Sequence, residues 1–201
     1  MRNHFINYTT VGVFVAAMIV ALLWALAQIS GRTGPTDSYA IVMDAVTDID
    51  YLAVVQLHAT YVAAVDAGDW DAWCNLFTDD CRYRLVPREN HDRGLPLATL
   101  SFESKGMLRD RAYGIRETLF HDPYYQRHVI GPPLIRGSET GRIRTETSYA
   151  VFRTKLSEPT TVFNVGRYLD DIVATPAGLR FAVRLAIYDS ELIPNSIIYP
   201  I

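Results

Sequence analysis

The polar run PRENHDRG, residues 87–94, contains side chains that could do acid–base chemistry. His91 can exchange a proton near neutral pH, and the carboxylate of Asp92 could orient its ring. Residues adjacent in sequence usually point apart, so these two alone make a poor catalytic pair. The same run suits polar contacts to a partner protein, because arginine pairs well with carboxylates. The residues that would make such contacts are Arg88, Asn90, His91, Asp92 and Arg93.

A further candidate is His128, which follows Arg127 in the strand-like segment YYQRHVIG. A strand histidine is usually structural, although it could face the inside of a curved sheet or an interface. With His91 and Asp92, it would supply the acid and base of a stand-alone dehydratase, isomerase or hydrolase. As interface residues, Arg127 and His128 would contact another subunit instead.

Cofactor and metal motifs are missing from the sequence. It contains no glycine-rich dinucleotide motif, phosphate loop, nucleophile elbow or paired-histidine zinc motif. Cys74 and Cys81 are too few for a zinc site or a disulfide framework and predict buried, reduced thiols. An iron site of two histidines and one carboxylate from distant positions stays open. We expect this chain to carry no metal and no cofactor.

Composition and charge indicate one globular domain that does not bind nucleic acid. Hydrophobic residues make up 49% of the 201 residues and charged residues 20%, which are globular values. The net charge of -3 provides no field that would attract a polyanion.

Residues 1–42 differ from the rest of the chain. Residues 11–29 are apolar except for Gln28, and as a helix they would reach roughly 28 Å, enough for a bilayer core. They could be a membrane anchor or a signal peptide, or translation could start at Met43. We expect a folded, cytoplasmic domain over residues 43–201, with membrane anchoring only if residues 11–29 are retained.

Hydrophobic periodicity predicts helices in the first half of the domain. Apolar residues at positions 52, 55, 59, 62 and 65 follow one helical face, which Asp48 or Asp50 would cap and Gly68 would end. Asp69 would then cap a short helix. The predicted inward-facing residues of that short helix are Trp70, Trp73 and Phe77. A third helix would cover residues 104–120, with an apolar stripe formed by Met107, Leu108, Ile115 and Leu119.

Strand patterns dominate the second half of the domain. Residues rich in Val, Ile, Thr, Tyr and Phe, separated by turn residues, predict strands over 81–87, 124–131, 141–156, 160–174 and 178–192. Helices followed by a run of strands indicate an α+β fold, with the helices packed on one face of a curved antiparallel sheet.

Several short segments occur together in a familiar order: DAGDWDAW, LFTDDCRY, NHDRGL, MLRDR, YYQRHVIGPP, YAVFRT, VGRYLDDIV and LRFAVRLAIYDSELIPNSIIYPI. On these segments the chain resembles the small, or beta, subunits of bacterial aromatic-ring-hydroxylating dioxygenases, which are Rieske non-haem iron enzymes. Among them it is most similar to the terephthalate and salicylate hydroxylase type. The ordered set covers about three quarters of the chain.

This resemblance implies the cone-shaped α+β barrel shared with nuclear transport factor 2 and scytalone dehydratase. It also implies a non-catalytic subunit that supports a large, or alpha, subunit, with three copies of each chain (alpha3beta3), in aromatic compound catabolism. The Rieske [2Fe–2S] cluster and the mononuclear iron would lie in the large subunit. Electrons would arrive from NAD(P)H through a reductase, and the large subunit would select the aromatic acid.

The structural-subunit and stand-alone-enzyme hypotheses differ in what fills the cone. A structural subunit would plug its interior with side chains such as Phe152, Phe163, Tyr168 and Phe181. An enzyme would leave a pocket that a histidine and a carboxylate can reach.

Overall fold

The structure, a computed structural model, describes residues 51–139, 141–190, 192 and 196–201. Residues 46–201 form one compact unit. The apolar segment 11–29 and the predicted helix caps at Asp48 and Asp50 lie outside the described residues. No helix in the described part of the chain is long and apolar enough to span a membrane.

The first helix, α1 (Tyr51–Ala67), ends as predicted before Gly68, whose φ of 69° costs a glycine little. Its buried face differs from the predicted one, because Leu52 is 70% exposed. The buried side chains are Val54, Leu57, His58, Tyr61, Ala64 and Val65. Because alanine and valine of this helix occur on most of its sides, its sequence periodicity does not define one buried face. The observed face carries His58 and Tyr61 into the interior of the domain.

The second helix, α2 (Trp70–Asn75), begins at the predicted cap. The carboxylate of Asp69 accepts a backbone hydrogen bond from the first turn at 2.9 Å. Trp70 and Trp73 are buried, as predicted. Phe77 is buried too, but it opens the first strand instead of closing this helix.

The polar run 87–94, for which the sequence pattern predicted no helix, contains a short helix. The strand β1 (Phe77–Pro87) leads directly into α3 (Arg88–Asp92). An ion pair between Arg93 Nη1 and Glu89 Oε1, 2.7 Å apart, joins the ends of this single turn. A short strand that the sequence did not indicate, β2 (Leu100–Phe102), follows and pairs antiparallel with β1.

The third predicted helix is shorter than expected. The helix α4 (Lys105–Tyr113) passes into a π-helical turn (Gly114–Thr118). The stripe prediction is half right: Leu108 and Ile115 are buried, whereas Met107 is 40% and Leu119 is 37% exposed. A π-helical turn changes the number of residues per turn, so a stripe drawn at regular helical spacing fails beyond it.

Five further strands follow in the described part of the domain. They are β3 (Tyr124–Ile130), β4 (Leu134–Glu139), β5 (Arg142–Lys155), β6 (Thr161–Thr175) and β7 (Gly178–Tyr188). All except β4 were predicted. The strands form one sheet in the order β2-β1-β7-β6-β5-β3, and β4 pairs with the first part of β5.

The sheet is curved, open and mixed, which corrects the expectation of a purely antiparallel sheet. β1 and β7 run parallel, with Tyr83 opposite Arg184 and Leu85 opposite Ala186. The strands β5, β6 and β7 pair antiparallel, as strands joined by short turns do. The parallel pair joins two strands about 100 residues apart in sequence. Local turn signals therefore carry no information about its direction.

The final segment returns into the core beside α1. Ile201 is 0% exposed. Its carbonyl oxygen accepts hydrogen bonds from the hydroxyls of Tyr61 at 2.8 Å and Tyr83 at 2.9 Å. Arg111 donates to the carbonyl oxygen of Ile197 at 3.1 Å. Residues 196–201 thereby close the space between α1, β1 and α4.

Candidate functional site

The interior of the curved sheet contains a buried ion pair. Arg184 on β7 and Asp170 on β6 are cross-strand partners, and both side chains are 0% exposed. The guanidinium donates two hydrogen bonds to the carboxylate, Nε to Oδ1 at 2.9 Å and Nη2 to Oδ2 at 2.8 Å. Burial raises the pKa of Asp170, and the charge of Arg184 opposes that rise. Burial works to lower the pKa of Arg184, but the charge of Asp170 and its hydrogen bonds outweigh it, so the net shift is upward.

Aromatic rings enclose the guanidinium of Arg184. Its Cζ lies 3.9 Å from the ring centroids of Tyr61 and Phe181, and 4.3 Å from that of Tyr168. All three rings are buried. A desolvated cation between aromatic faces is held by cation–π attraction as well as by its ion pair. The centre of the cone is therefore occupied by protein side chains.

His58, on α1, faces this ion pair and is 1% exposed. Its Nδ1 lies 3.1 Å from Nη2 of Arg184. Because a guanidinium can only donate, Nδ1 accepts this bond, and the proton of the neutral ring is on Nε2. Burial, and then the charge of Arg184, lower the pKa of His58 to about 2. A ring that stays neutral throughout the physiological range is a poor general base.

Four side chains were predicted to fill the interior of the cone, and three of the four are buried. Phe163, Tyr168 and Phe181 are buried. Phe152 is only half-buried, because it points away from the interior. Its neighbour Val151 occupies the inward position on β5. Since successive side chains of a strand alternate between faces, Phe152 belongs to the outer face of the sheet.

His91 and Asp92 do contact each other, but they do so at the protein surface. Nδ1 of His91 lies 3.0 Å from Oδ1 of Asp92, and the two side chains are 31% and 56% exposed. The hydrogen bond from His91 lowers the pKa of Asp92. A solvent-exposed pair on a one-turn helix lacks the apolar surroundings that acid–base catalysis needs.

His128 forms a separate, buried pair with a residue that the sequence analysis did not consider, Asp66. Oδ1 of Asp66 lies 2.6 Å from Nδ1 of His128, and Oδ2 accepts the backbone N–H of His128 at 3.0 Å. The two side chains are 3% and 0% exposed. The carboxylate at the end of α1 thus fixes both the ring and the backbone of β3.

The three residues of the enzyme hypothesis do not converge. His91 and Asp92 follow β1, whereas His128 lies on β3, and three strands separate β1 from β3 in the sheet. Each histidine has its own carboxylate, Asp92 in one case and Asp66 in the other. The structure therefore does not bring these three residues together at one site where they could act on the same substrate.

The described residues provide no cluster of three or more His, Cys, Asp or Glu side chains that could hold a metal ion. Cys74 and Cys81 are free and buried, as predicted. Burial raises the pKa of both thiols to about 11. Neither thiol is suited to act as a nucleophile near neutral pH.

The comparisons with known proteins agree with this fold. The family model described as a SnoaL-like domain matches residues 49–184. The small subunit of anthranilate 1,2-dioxygenase from Burkholderia cepacia is 32% identical over 151 residues, covering 75% of this chain and 94% of the relative. The beta 1 subunit of the terminal oxygenase component of terephthalate 1,2-dioxygenase from a Comamonas species is 29% identical, covering 76% and 99%.

A solved structure supports the same assignment. It is the beta subunit assigned to an aromatic-ring-hydroxylating dioxygenase of Novosphingobium aromaticivorans. It shares 35% identity with this chain and has a TM-score of 0.68, covering 74% of this chain and 95% of that one.

The domain is thus a SnoaL-like α+β cone. More specifically, the chain belongs to the small, or beta, subunits of aromatic-ring-hydroxylating dioxygenases. This confirms the family that the sequence segments indicated and the cone-shaped fold. It also confirms a non-catalytic subunit of an oxidoreductase complex over a stand-alone cone enzyme.

Proposed function

We propose that this chain supports a large subunit that holds a Rieske [2Fe–2S] cluster and a mononuclear iron, in an assembly of three copies of each. Electrons from NAD(P)H reach that large subunit through a separate reductase. The small subunit contributes no group to the reaction. Its buried thiols, Cys74 and Cys81, suit the reducing cytoplasm.

The observation that carries this proposal is the ion pair at the centre of the cone. Arg184 and Asp170 are joined by two hydrogen bonds, and the rings of Tyr61, Tyr168 and Phe181 surround the guanidinium. His58, the histidine closest to this centre, stays neutral because burial lowers its pKa to about 2. Among the described residues, the centre of the cone therefore supplies neither open space for a substrate nor a histidine that accepts a proton near neutral pH.

The substrate class that we propose is an aromatic acid. Relatives of this chain are named for anthranilate, terephthalate and 2-aminobenzenesulfonate, each a benzene ring with an acidic group. An oxygenase with such a substrate inserts one or both atoms of O2 into the ring. The large subunit, which binds the ring, selects the individual acid.

The surface residues that we expect to face partner subunits remain those of the polar run together with Arg127. In α3, Arg88 pairs with Asp189 at 2.8 Å, and the Asn90 side chain donates to the carbonyl of Leu97 at 3.1 Å. Contacts already paired within the chain suit the polar rim of an interface. Arg127 is 77% exposed. Its Nη1 lies 3.6 Å from Oδ2 of the buried Asp66, and the rest of its guanidinium faces outward, where a carboxylate of a partner can reach it. His128 is buried, so it supports the interface only by holding β3 in place.

Reconstitution of the complete oxygenase tests this function. The large subunit of the same organism is expressed with and without residues 43–201 of this chain and supplied with its reductase and NAD(P)H. We expect oxidation of NAD(P)H that depends on an aromatic acid only when both subunits are present. Turnover of an aromatic acid or another small molecule by this chain alone would contradict the proposal.

A further inference from the structure

The outer face of the sheet, which points away from the helices, is charged towards one end. Ion pairs cross β4, β5 and β6 there. They join Arg136 to Glu146 at 2.8 Å, Arg142 to Asp171 at 2.9 Å, Arg144 to Glu139 at 3.1 Å and Arg167 to Glu146 at 3.9 Å. Mutually paired and partly exposed charges of this kind form an ordinary solvated surface.

Towards the other end, the same face is apolar. The strand register places Val129 opposite Ala150 and Ala150 opposite Val165, and it places Phe152 opposite Val162. Cross-strand partners point to the same side of a sheet, so these side chains form one patch. The patch consists of Tyr125, Val129, Ala150, Phe152, Val162 and Val165. Tyr125 is 80%, Val162 59% and Val129 57% exposed, which is more than a solvated face needs.

A cleft of ≈ 520 Å³ adjoins this apolar patch at Tyr125. Trp70, Tyr124 and Tyr199 provide aromatic walls, and Gln126 also lines the cleft. Gln126 is 5% exposed, and its Oε1 has no hydrogen-bond partner among the described residues. A buried acceptor without a donor is costly unless a group from outside the chain supplies that donor.

We infer that the apolar patch and its adjoining cleft are the surface on which the large subunit docks. This inference rests on the proposed function and adds to it the location of the contact. The large-subunit surface must be apolar, carry a carboxylate opposite Arg127, and insert a hydrogen-bond donor into the cleft beside Gln126. Apolar contact surrounded by a few specific polar bonds is the usual composition of a stable interface.

A second copy of this chain fits the patch less well. Arg127 lies among the patch residues, opposite Phe152, and is 77% exposed. The patch itself contains no carboxylate. A two-fold axis through it would bring two Arg127 side chains into one apolar interface. The contact of each with its own Asp66, 3.6 Å from Nη1 to Oδ2, involves only one of the guanidinium nitrogens, so burying both side chains costs free energy unless further acceptors compensate. A different chain can supply that carboxylate.

The experiment is co-expression of this chain with its affinity-tagged large subunit, followed by quantitation of small subunit recovered per Rieske cluster. Val162→Glu introduces a charge into the patch, and Arg127→Glu reverses the charge beside it. Val162→Thr keeps the shape of valine without a charge. Phe120→Glu is the matched control, because Phe120 is fully exposed and lies outside the patch. Circular dichroism of each variant alone establishes that it folds.

We expect Val162→Glu and Arg127→Glu to reduce recovery at least about tenfold, as loss of one central contact does. Val162→Thr and Phe120→Glu should assemble as the unmodified chain does. Normal recovery of both glutamate variants at Val162 and Arg127 would overturn the inference and leave the proposed function standing. A further outcome is a glutamate variant that binds the large subunit normally and yet alters the oligomeric mass of the small subunit when it is purified alone. That result would overturn the inference and would assign the patch to contacts between copies of this chain. If the unmodified chain itself is not recovered, the proposed function fails as well.

Discussion

Asp66 fixes the edge strand β3 through two bonds to one residue, His128, and lies 3.6 Å from Nη1 of the neighbouring Arg127. Its carboxylate lies 2.6 Å from Nδ1 of the ring and accepts the backbone N–H at 3.0 Å. That N–H lies on the side of β3 that faces away from β5, the one strand that pairs with β3 in the described part of the chain. Unpaired edge groups invite association with other chains, so a buried carboxylate protects the strand as well as the fold.

Replacing Asp66 should therefore destabilise the domain strongly. Asp66→Ala leaves a buried N–H and a buried imidazole without an acceptor, and we expect the free energy of unfolding to fall by about 2–4 kcal/mol. The matched control is Asp71→Ala, which breaks an exposed pair with Arg116 and should cost less than about 1 kcal/mol. Urea denaturation measures both, and equal losses would contradict this role of Asp66.

The central ion pair should show strong coupling in a double-mutant cycle. Asp170→Leu leaves the buried Arg184 unpaired and should cost about 3–5 kcal/mol. The double variant Asp170→Leu with Arg184→Met removes both charges and should be more stable than Asp170→Leu alone. Denaturant unfolding of the four proteins provides the cycle. Simple addition of the two single losses would mean that the pair is not coupled.

His58 should make the stability of the domain depend on pH. Its pKa is about 2 in the folded chain, chiefly because of burial, against an ordinary 6.5. Between these values the unfolded chain binds one more proton, so stability is full above pH 6.5 and is lost as pH falls below it. The slope is about 1.4 kcal/mol per pH unit. His58→Gln should remove this share of the slope in unfolding curves at pH 7.5, 6 and 5. If the variant kept the same dependence of its free energy of unfolding on pH, His58 would have to bind a proton in the folded chain as readily as in the unfolded chain.

The exposed pair His91 and Asp92 should be dispensable for chemistry. In the assembled oxygenase, we expect His91→Ala combined with Asp92→Ala to leave turnover per Rieske cluster within about twofold, since the pair contacts no reacting atom. Normalising to the cluster separates turnover from any change in the yield of assembly. A loss of about a hundredfold or more would indicate general acid–base catalysis by this pair.

The two thiols should be unreactive while the domain is folded. Burial raises the pKa of Cys74 and Cys81 to about 11, so few thiolates form near neutral pH. We expect slow labelling by a disulfide reagent in buffer and rapid labelling of both cysteines in urea. Fast labelling of the folded protein would place at least one thiol at an accessible surface.

Much of the fold follows from local patterns in the sequence. The cap at Asp69, the stop at Gly68 and the long strands β5 to β7 were predictable, because turn residues and β-branched runs mark them. The buried face of α1 was not, since a helix rich in alanine and valine has no clear polar side. The parallel pairing of β1 with β7 also escaped prediction, because it joins distant parts of the chain.

The candidate site was harder to predict than the fold. Arg184 shares its strand with a second arginine, Arg180, four residues earlier, and such a same-face pair usually indicates a solvated face. Only the register shows that Asp170 lies opposite it and that Tyr61 of a distant helix covers it. The one local signal was the placement of Arg184 between apolar strand residues, in the segment FAVRLAIY. His128 was noticed, whereas Asp66 was not, because its position near the end of α1 resembles that of a solvated helix terminus.

The most direct test of a supporting, non-catalytic small subunit is the mass and metal content of the co-expressed complex. Residues 43–201 are purified with the large subunit, and size exclusion with light scattering gives the mass. We predict a stable complex of about three copies of each chain, coloured by its Rieske cluster. A colourless homo-oligomer of this chain, with the large subunit eluting separately, would contradict the account.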